Sequence, residues 1–409
     1  VQAKVRVITR ALVGTTLAFL LTSAPIAQAY ESLDQVLLRD PVSEETFEAL
    51  RERVAELDRT FNVFARRESQ VYFDFAYAQL YRGDLAGAKS TFERGLRLHP
   101  SNFDGQIRLA ELEVRSGRPQ PALERLQFVA SRSTDEDQRA YARQLIETHD
   151  LEAQRTTLVL PDRFDHRLLM VPIDLVPEAL LEAVRSRIEQ EFRIRVEIVD
   201  GIPLPETLPS RDFLDRLLTE VVAHIEESNS PDELAWFYTF LGLPASGPRT
   251  REERERVVLA LLNAQEDGAA IWRDWRWRYT VAVDGKALLD HLRSELQAEL
   301  EEPKTLGVLA ITAHDVYNGE SGPLFALTPK GAGVIPYVRF FRPQDSYETG
   351  LHRTIVQSLS SVVMILGVER ATVQHCASAY ANSYEEFDQK QDRLCAETLE
   401  RLIEKYASF

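Results

Sequence analysis

A spacing of 34 residues constrains this chain most. Gly83, Ala88 and Phe92 return as Gly117, Ala122 and Leu126, in the same order and at the same intervals. A repeat of that length holds two helices and a turn, too little to bury its own apolar face, so neighbouring units must stack. The residue types suit such a stack. Glycine closes the turn between paired helices, alanine lets them approach closely, and Pro100 ends the second helix of the first unit. Upstream, Phe47, Leu50, Val54, Leu57 and Phe61 step by three or four, one face of an amphipathic helix. The pattern predicts an all-α module over residues 30–150, with the repeat clearest over 68–133. Two clear repeats fall short of the three usually needed, so the helices of residues 40–65 or the rest of the chain must cover the open ends.

The stretch from Gly83-Asp84-Leu85 to Leu98-His99-Pro100-Ser101-Asn102 resembles the second helix and exit turn of a tetratricopeptide repeat. That resemblance implies either a concave groove that grips a peptide or protein partner, or a packing module with no ligand. Nucleic acid is a poor partner for such a chain. Its 64 Asp and Glu against 48 Lys and Arg leave a formal charge of −16, which repels phosphate backbones. In the aromatic and basic stretch Trp272-Arg273-Asp274-Trp275-Arg276-Trp277-Arg278-Tyr279, Trp275, Trp277 and Tyr279 alternate with Arg276 and Arg278, which reads instead as a strand with one buried and one wet face.

At the N-terminus, Lys4, Arg6 and Arg10 precede an apolar run from Ala11 to Leu21, and Ala27-Gln28-Ala29 supplies small residues at a cleavage site. This is the layout of a secretory signal peptide over residues 1–29, cut after Ala29. The run is shorter than the about 20 residues a comfortable span needs, although an uncleaved anchor is the other reading. The expectation is an exported protein, periplasmic or extracellular, with no stable membrane span after cleavage.

From Arg167 the pattern changes. Leu168-Leu169-Met170-Val171-Pro172-Ile173 and Thr305–Thr312 are short apolar runs of the kind found in buried strands. Val196–Val199, residues 279–283 and Gly333–Arg339 read as further strands, and Pro177–Phe192 and Ala287–Leu300 as helices. Alternating strands and helices predict an α/β domain with a mixed sheet. Thr250 with Glu253 forms a capping box that starts another helix.

Leu306-Gly307-Val308, then His314-Asp315-Val316-Tyr317 and Pro323-Leu324-Phe325-Ala326, resemble a strand and following loop of the archaemetzincins, zinc peptidases of the metzincin type. The tail Asn382-Ser383-Tyr384-Glu385-Glu386-Phe387-Asp388, with Leu394-Cys395 beyond it, resembles theirs more closely. The resemblance covers residues 165–409, interrupted by a helical insertion near 208–278. It implies an α+β chain: an all-α helical repeat module followed by a metzincin-like α/β domain.

That family carries H-E-x-x-H-x-x-G-x-x-H-C-x4-C-x-M and a later cysteine pair. Aligned without gaps from Arg353, the motif glycine falls on Gly367 and the second cysteine on Cys376. The three histidine places then hold Ser360, Met364 and Arg370, the glutamate place Ser361, and the methionine place Ser378. Of the four cysteine places, Cys376 and Cys395 keep their sulfur, while Ala371 and, approximately, Thr398 hold the others. A hydroxyl, a soft thioether and a permanent cation are poor zinc ligands, and serine cannot serve as a carboxylate base. Met364 reads as core filler in the space of the lost ion. The resemblance therefore implies a pseudo-peptidase with no catalytic residue, metal or cofactor, which binds a protein or peptide partner. The alternative is an active zinc-dependent hydrolase with a rearranged site, for which His352, His375 and Asp388 are the candidates. Cys376 and Cys395 either form a disulfide in place of a structural zinc, closing a loop of about 20 residues worth roughly 3 kcal/mol, or remain two buried thiols.

Overall fold

The computed structural model describes residues 30–59, 68–263, 272, 282–319, 324–342 and 344–408. The expected leader (1–29), Phe61 and all of the aromatic and basic stretch except Trp272 lie outside these.

The two glycines 34 residues apart do the same work. Gly83 and Gly117 take φ of +75° and +72°, a left-handed turn that costs glycine nothing. Each joins a pair of helices. Before the first pair come α1 (Leu33–Leu37) and α2 (Glu44–Arg59). Then follow α3 (Gln70–Tyr81) with α4 (Leu85–Leu98), and α5 (Phe103–Arg115) with α6 (Pro119–Arg132). A seventh helix, α7, spans Glu136–Thr148. Local chemistry sets the starts. Asp84 accepts from the Gly87 amide at 2.9 Å and Asn102 from the Gly105 amide at 2.8 Å. Ala88 and Phe92 are fully buried with Phe73, Leu80 and Leu109, and Ala122 and Leu126 with Ile107 and Ala110. Phe47, Leu50, Val54 and Leu57 lay α2 over Tyr72 and Phe75 at one end, while Tyr141, Ala142 and Leu145 lay α7 over the other.

An exposed connector, residues 152–157, leads to the second half. Strand β1 (Arg163–Ile173) is followed by α8 (Glu178–Phe192) and β2 (Ile194–Ile198). A small strand β3 (Ser210–Arg211) opens the insertion, which consists of α9 (Phe213–Ser228), α10 (Pro231–Phe240) and α11 (Arg251–Leu262). Thr250 and Glu253 make the expected capping box of α11. Next come β4 (Ala282–Asp284), α12 (Gly285–Glu295), α13 (Gln297–Leu300), β5 (Thr305–Thr312), β6 (Asp315–Tyr317) and β7 (Ala332–Pro336). The chain ends in α14 (Tyr347–Ile365), α15 (Tyr384–Asp388) and α16 (Ala396–Tyr406).

The main sheet has the order β2-β1-β5-β7, with every pair parallel. Leu168 and Met170 face α8 and α14, while Leu169 and Val171 face α12. Both faces are covered, which is why these strands are continuously apolar. Pairing is mixed, and among the described residues its antiparallel part is confined to β3–β4 in the small sheet β3-β4-β6 and to isolated bridges such as Leu327 to Val334. Two expected boundaries differ. The strand expected to run to Arg339 stops at Pro336, which lacks an N–H for the ladder, and continues as a 3-10 turn. The helix expected over 287–300 breaks at Leu296, whose side chain is buried with the sheet core.

Candidate functional site

Helix α14 carries the positions that the motif alignment assigns to metal chemistry. Ser346 caps it, accepting from the Thr349 amide at 3.2 Å, so the helix begins six residues before the Arg353 from which the motif was aligned. Val356, Leu359, Val362 and Val363 form its buried stripe in the core. Ser360 and Ser361 lie on the same helix, 4% and 1% exposed. The Ser361 hydroxyl oxygen accepts from Thr328 Oγ1 and from Gln357 Nε2, each at 3.1 Å. Met364 is not the core filler the sequence suggested. It is only partly buried and takes no place in the apolar cluster that α14 shares with the sheet. Gly367 turns the chain out of the helix at φ +74°. Beyond it the Arg370 guanidinium lies 4.9 Å over the Tyr380 ring, and burial pushes its pKa down from the ordinary arginine value.

This donor set does not fit zinc. It offers two hydroxyls, one of them already hydrogen-bonded twice, a thioether and an arginine, with no carboxylate to take a proton from bound water. Among the described residues, no three His, Cys, Asp or Glu side chains gather as a metal-binding group. Of the residues of the rearranged-site reading, His352 lies partly buried on α14, and Asp388 and His375 have partners of their own. Asp388 accepts from Arg353 Nε and Nη2, both at 2.7 Å, which clips the tail motif onto the start of α14. The ring of His375 packs 5.8 Å from that of Phe128. His314 pairs with Asp174 at 2.7 Å beyond the carboxyl ends of β5 and β1, a contact across 140 residues that no local signal announces.

The four positions aligned with the structural cysteines do converge. Cys376 and Cys395 form a disulfide, with their Cα atoms 5.2 Å apart. Ala371 packs in the same small cluster, and Thr398 Oγ1 lies 3.6 Å from one sulfur and 3.5 Å from the other. Ser378, at the methionine place, hydrogen-bonds Thr398 at 2.7 Å. Opening the disulfide with Cys376→Ala and Cys395→Ala together is expected to lower stability by about 3 kcal/mol. Urea unfolding measures this, and thiol titration of the unfolded, unreduced wild type should detect no free thiol.

The loop behind α14 also meets the helical module, through residues that no sequence signal marked. Arg125 on α6 is fully buried. Its Nε donates to Glu113 at 2.8 Å, its Nη2 to Glu397 on α16 at 3.0 Å, and its Nη1 to Gln106 at 2.9 Å. Glu397 in turn accepts from the Thr372 amide at 3.0 Å and hydroxyl at 2.8 Å, and Gln106 donates to the Thr372 carbonyl. Glu124 caps α16 by accepting from the Ala396 amide at 2.9 Å.

Acid should loosen this contact in two stages. Burial, reinforced by Arg393 and Lys390, holds the His375 imidazole down to about 4. Burial alone would raise Glu397, but Arg125, Arg401 and the Thr372 hydrogen bonds hold it down to about 2. The unfolded chain therefore binds more protons than the native one below pH about 6.5 at the histidine, and below about 4.3 at the carboxyl. Stability is expected to fall from pH about 6.5 towards 4 as unfolded His375 takes a proton; nearer 2 the loss at Glu397 is opposed by Glu113 and Glu124, whose carboxyls burial raises, so the second stage is the shallower one. In thermal melts across pH, His375→Phe should flatten the first stage and leave the second.

No family model matches the chain, and no curated protein does. Among solved structures it is similar to archaemetzincin from Methanopyrus kandleri, at 15% identity and a TM-score of 0.37, over 61% of this chain and 99% of that one. A second similar structure is archaemetzincin from Archaeoglobus fulgidus, complexed with malonate, at 11% identity and a TM-score of 0.34, over 57% and 99% of the two chains. A third is a zinc-dependent peptidase from Methanocorpusculum labreanum, at 13% and 0.32, with the same coverage. The likeness is distant. It decides neither activity nor substrate.

Proposed function

We propose that the chain is an exported, non-catalytic interaction protein: a tetratricopeptide-like module joined to an archaemetzincin-like scaffold that has lost its zinc ligands and base. Its partner is a protein or peptide. The observation that carries this reading is the meeting of Ala371, Cys376, Cys395 and Thr398 at one point. That meeting supports the frame of the motif alignment, and the same frame puts Ser360, Ser361, Met364 and Arg370 where ligands and base would stand. The disulfide is compatible with an oxidising compartment, and with removal of a leader after Ala29. No helix among the described residues is long and apolar enough to cross a membrane.

The test is metal analysis with a peptidase assay. Purified protein is expected to hold well under one equivalent of zinc, cleave no peptide above background, and melt at the same temperature with and without chelator. One tightly held equivalent, lost together with peptide hydrolysis on chelation, would overturn the proposal. The buried contact through Arg125 favours a second, architectural role for the helical module, that of holding residues 370–401 in place.

A further inference from the structure

The face of the helical module is filled by the chain's own first described residues. Leu33 and Val36 of α1 are 2% and 1% exposed, set among Phe73, Ala76 and Leu80 of α3 and Leu109 and Leu112 of α5. Tyr30 reaches further along, its ring 4.9 Å from that of Tyr141 on α7 and 4.8 Å from the Arg108 guanidinium, and its hydroxyl donates to Asp104. The segment thus lies across α3, α5 and α7, the helices that alternate along one side of the stack.

Two of the contacts read main chain, not side chain. Arg108 Nη2 donates to the Glu31 carbonyl at 2.6 Å, and Glu111 accepts from the Leu33 amide at 2.9 Å. Neighbours hold both charged groups in place. Arg108 and Glu111 pair at 2.8 Å, and the Tyr141 hydroxyl donates to Glu111 at 2.6 Å. An apolar floor with fixed polar groups aimed at a backbone is how a peptide groove is built. The link to α2 is exposed: Leu38 is 85% exposed, and Arg39, Asp40 and Pro41 are exposed beyond it.

We propose that this groove is a peptide site carrying its ligand in cis. The external partner it fits is a peptide segment of another protein with the same chemistry, an aromatic hydroxyl followed three and six residues later by aliphatic side chains. This deepens the reading of the chain as a binder and rests on it. The tethered segment competes at a high effective concentration, so the groove is closed to weak ligands and opens to stronger ones.

The probe is a fluorescein-labelled nonapeptide with the sequence of residues 30–38, titrated by anisotropy against the full chain. Weakening the tethered copy with Leu33→Ala and Val36→Ala together is expected to tighten peptide binding at least about tenfold over wild type, because competition in cis is relieved. A tyrosine-to-phenylalanine peptide should bind several-fold more weakly, and a scrambled one not at all. Equal affinity of the wild type and the double variant, with helix content unchanged by circular dichroism, would overturn the proposal. So would a wild-type dimer that the double variant fails to form, since the segment would then be exchanged between copies. Should the variant fold poorly, hydrogen exchange on the wild type decides. Amides of residues 33–37 opening well before those of α5 support a displaceable ligand, and opening only with α5 refutes one. Zinc binding with peptide cleavage would defeat the pseudo-peptidase reading and leave these outcomes unchanged.

Discussion

Arg125→Ala is expected to destabilise the folded chain by about 3–5 kcal/mol, the range for removing one partner from a buried ion pair. Arg125 is wholly enclosed and satisfies two carboxylates, those of Glu113 and Glu397, which are themselves at most 1% exposed. Alanine would leave both anions with fewer counter-charges in a place water does not reach. Glu397 retains Arg401 and its Thr372 hydrogen bonds, so Glu113 bears most of the change. Lysine should rescue little, because a single ammonium cannot reproduce the fork that serves Glu113, Glu397 and Gln106 together. Urea denaturation with two probes, helix content and tryptophan emission, measures the loss. A change below 1 kcal/mol would mean that water already reaches these charges in solution and that the contact is open.

Gly307→Ala should have an effect of similar size by another route. In β5, Gly307 holds φ +147°, and a Cβ there would stand 2.5 Å from the Gly331 carbonyl oxygen and 2.7 Å from Ile365 Cγ2. Neither neighbour is free to retreat. The Gly331 carbonyl accepts from the Val308 amide at 3.1 Å, and the Gly331 amide donates to the Ile365 carbonyl at 2.9 Å, which ties β5, β7 and the end of α14 together. Backbone strain and overpacking at about 1–3 kcal/mol each give an expected loss of about 2–6 kcal/mol. Gly83→Ala is the matched control. It shares a positive φ, +75°, but a Cβ there meets nothing within 4 Å, so about 1 kcal/mol is expected. Thermal melts of the two variants side by side decide the matter, and equal losses would refute the steric argument.

What the sequence made legible was local. The capping box of Thr250 and Glu253, the glycine turns at 83 and 117, and the buried strand Thr305–Thr312 rest on chemistry within a few residues, and each stands where expected. The approach of Ala371, Cys376, Cys395 and Thr398 is what the resemblance to the archaemetzincins implies, not something spacing alone reveals. Pairings over hundreds of residues were not legible. Arg125 and Glu397 are 272 residues apart, and on their own helices each looks like one more charge on a solvated face. Met364 was misread because a vacated ligand position was assumed to fill with core, whereas its surroundings leave it only partly buried. Leu33 and Val36 belong to a five-residue helix, too short for periodicity to reveal which surface it covers.

The clasp between α5–α6 and residues 370–401 joins early chain to late chain around an exposed connector at 152–157. A single protease nick in that connector should therefore yield two bands on a denaturing gel but one undivided particle in native buffer. Synthesis runs the other way: until residues 370–401 emerge, Arg125 and Glu124 have no counterpart to receive them, so the lock can close only once that segment has been made.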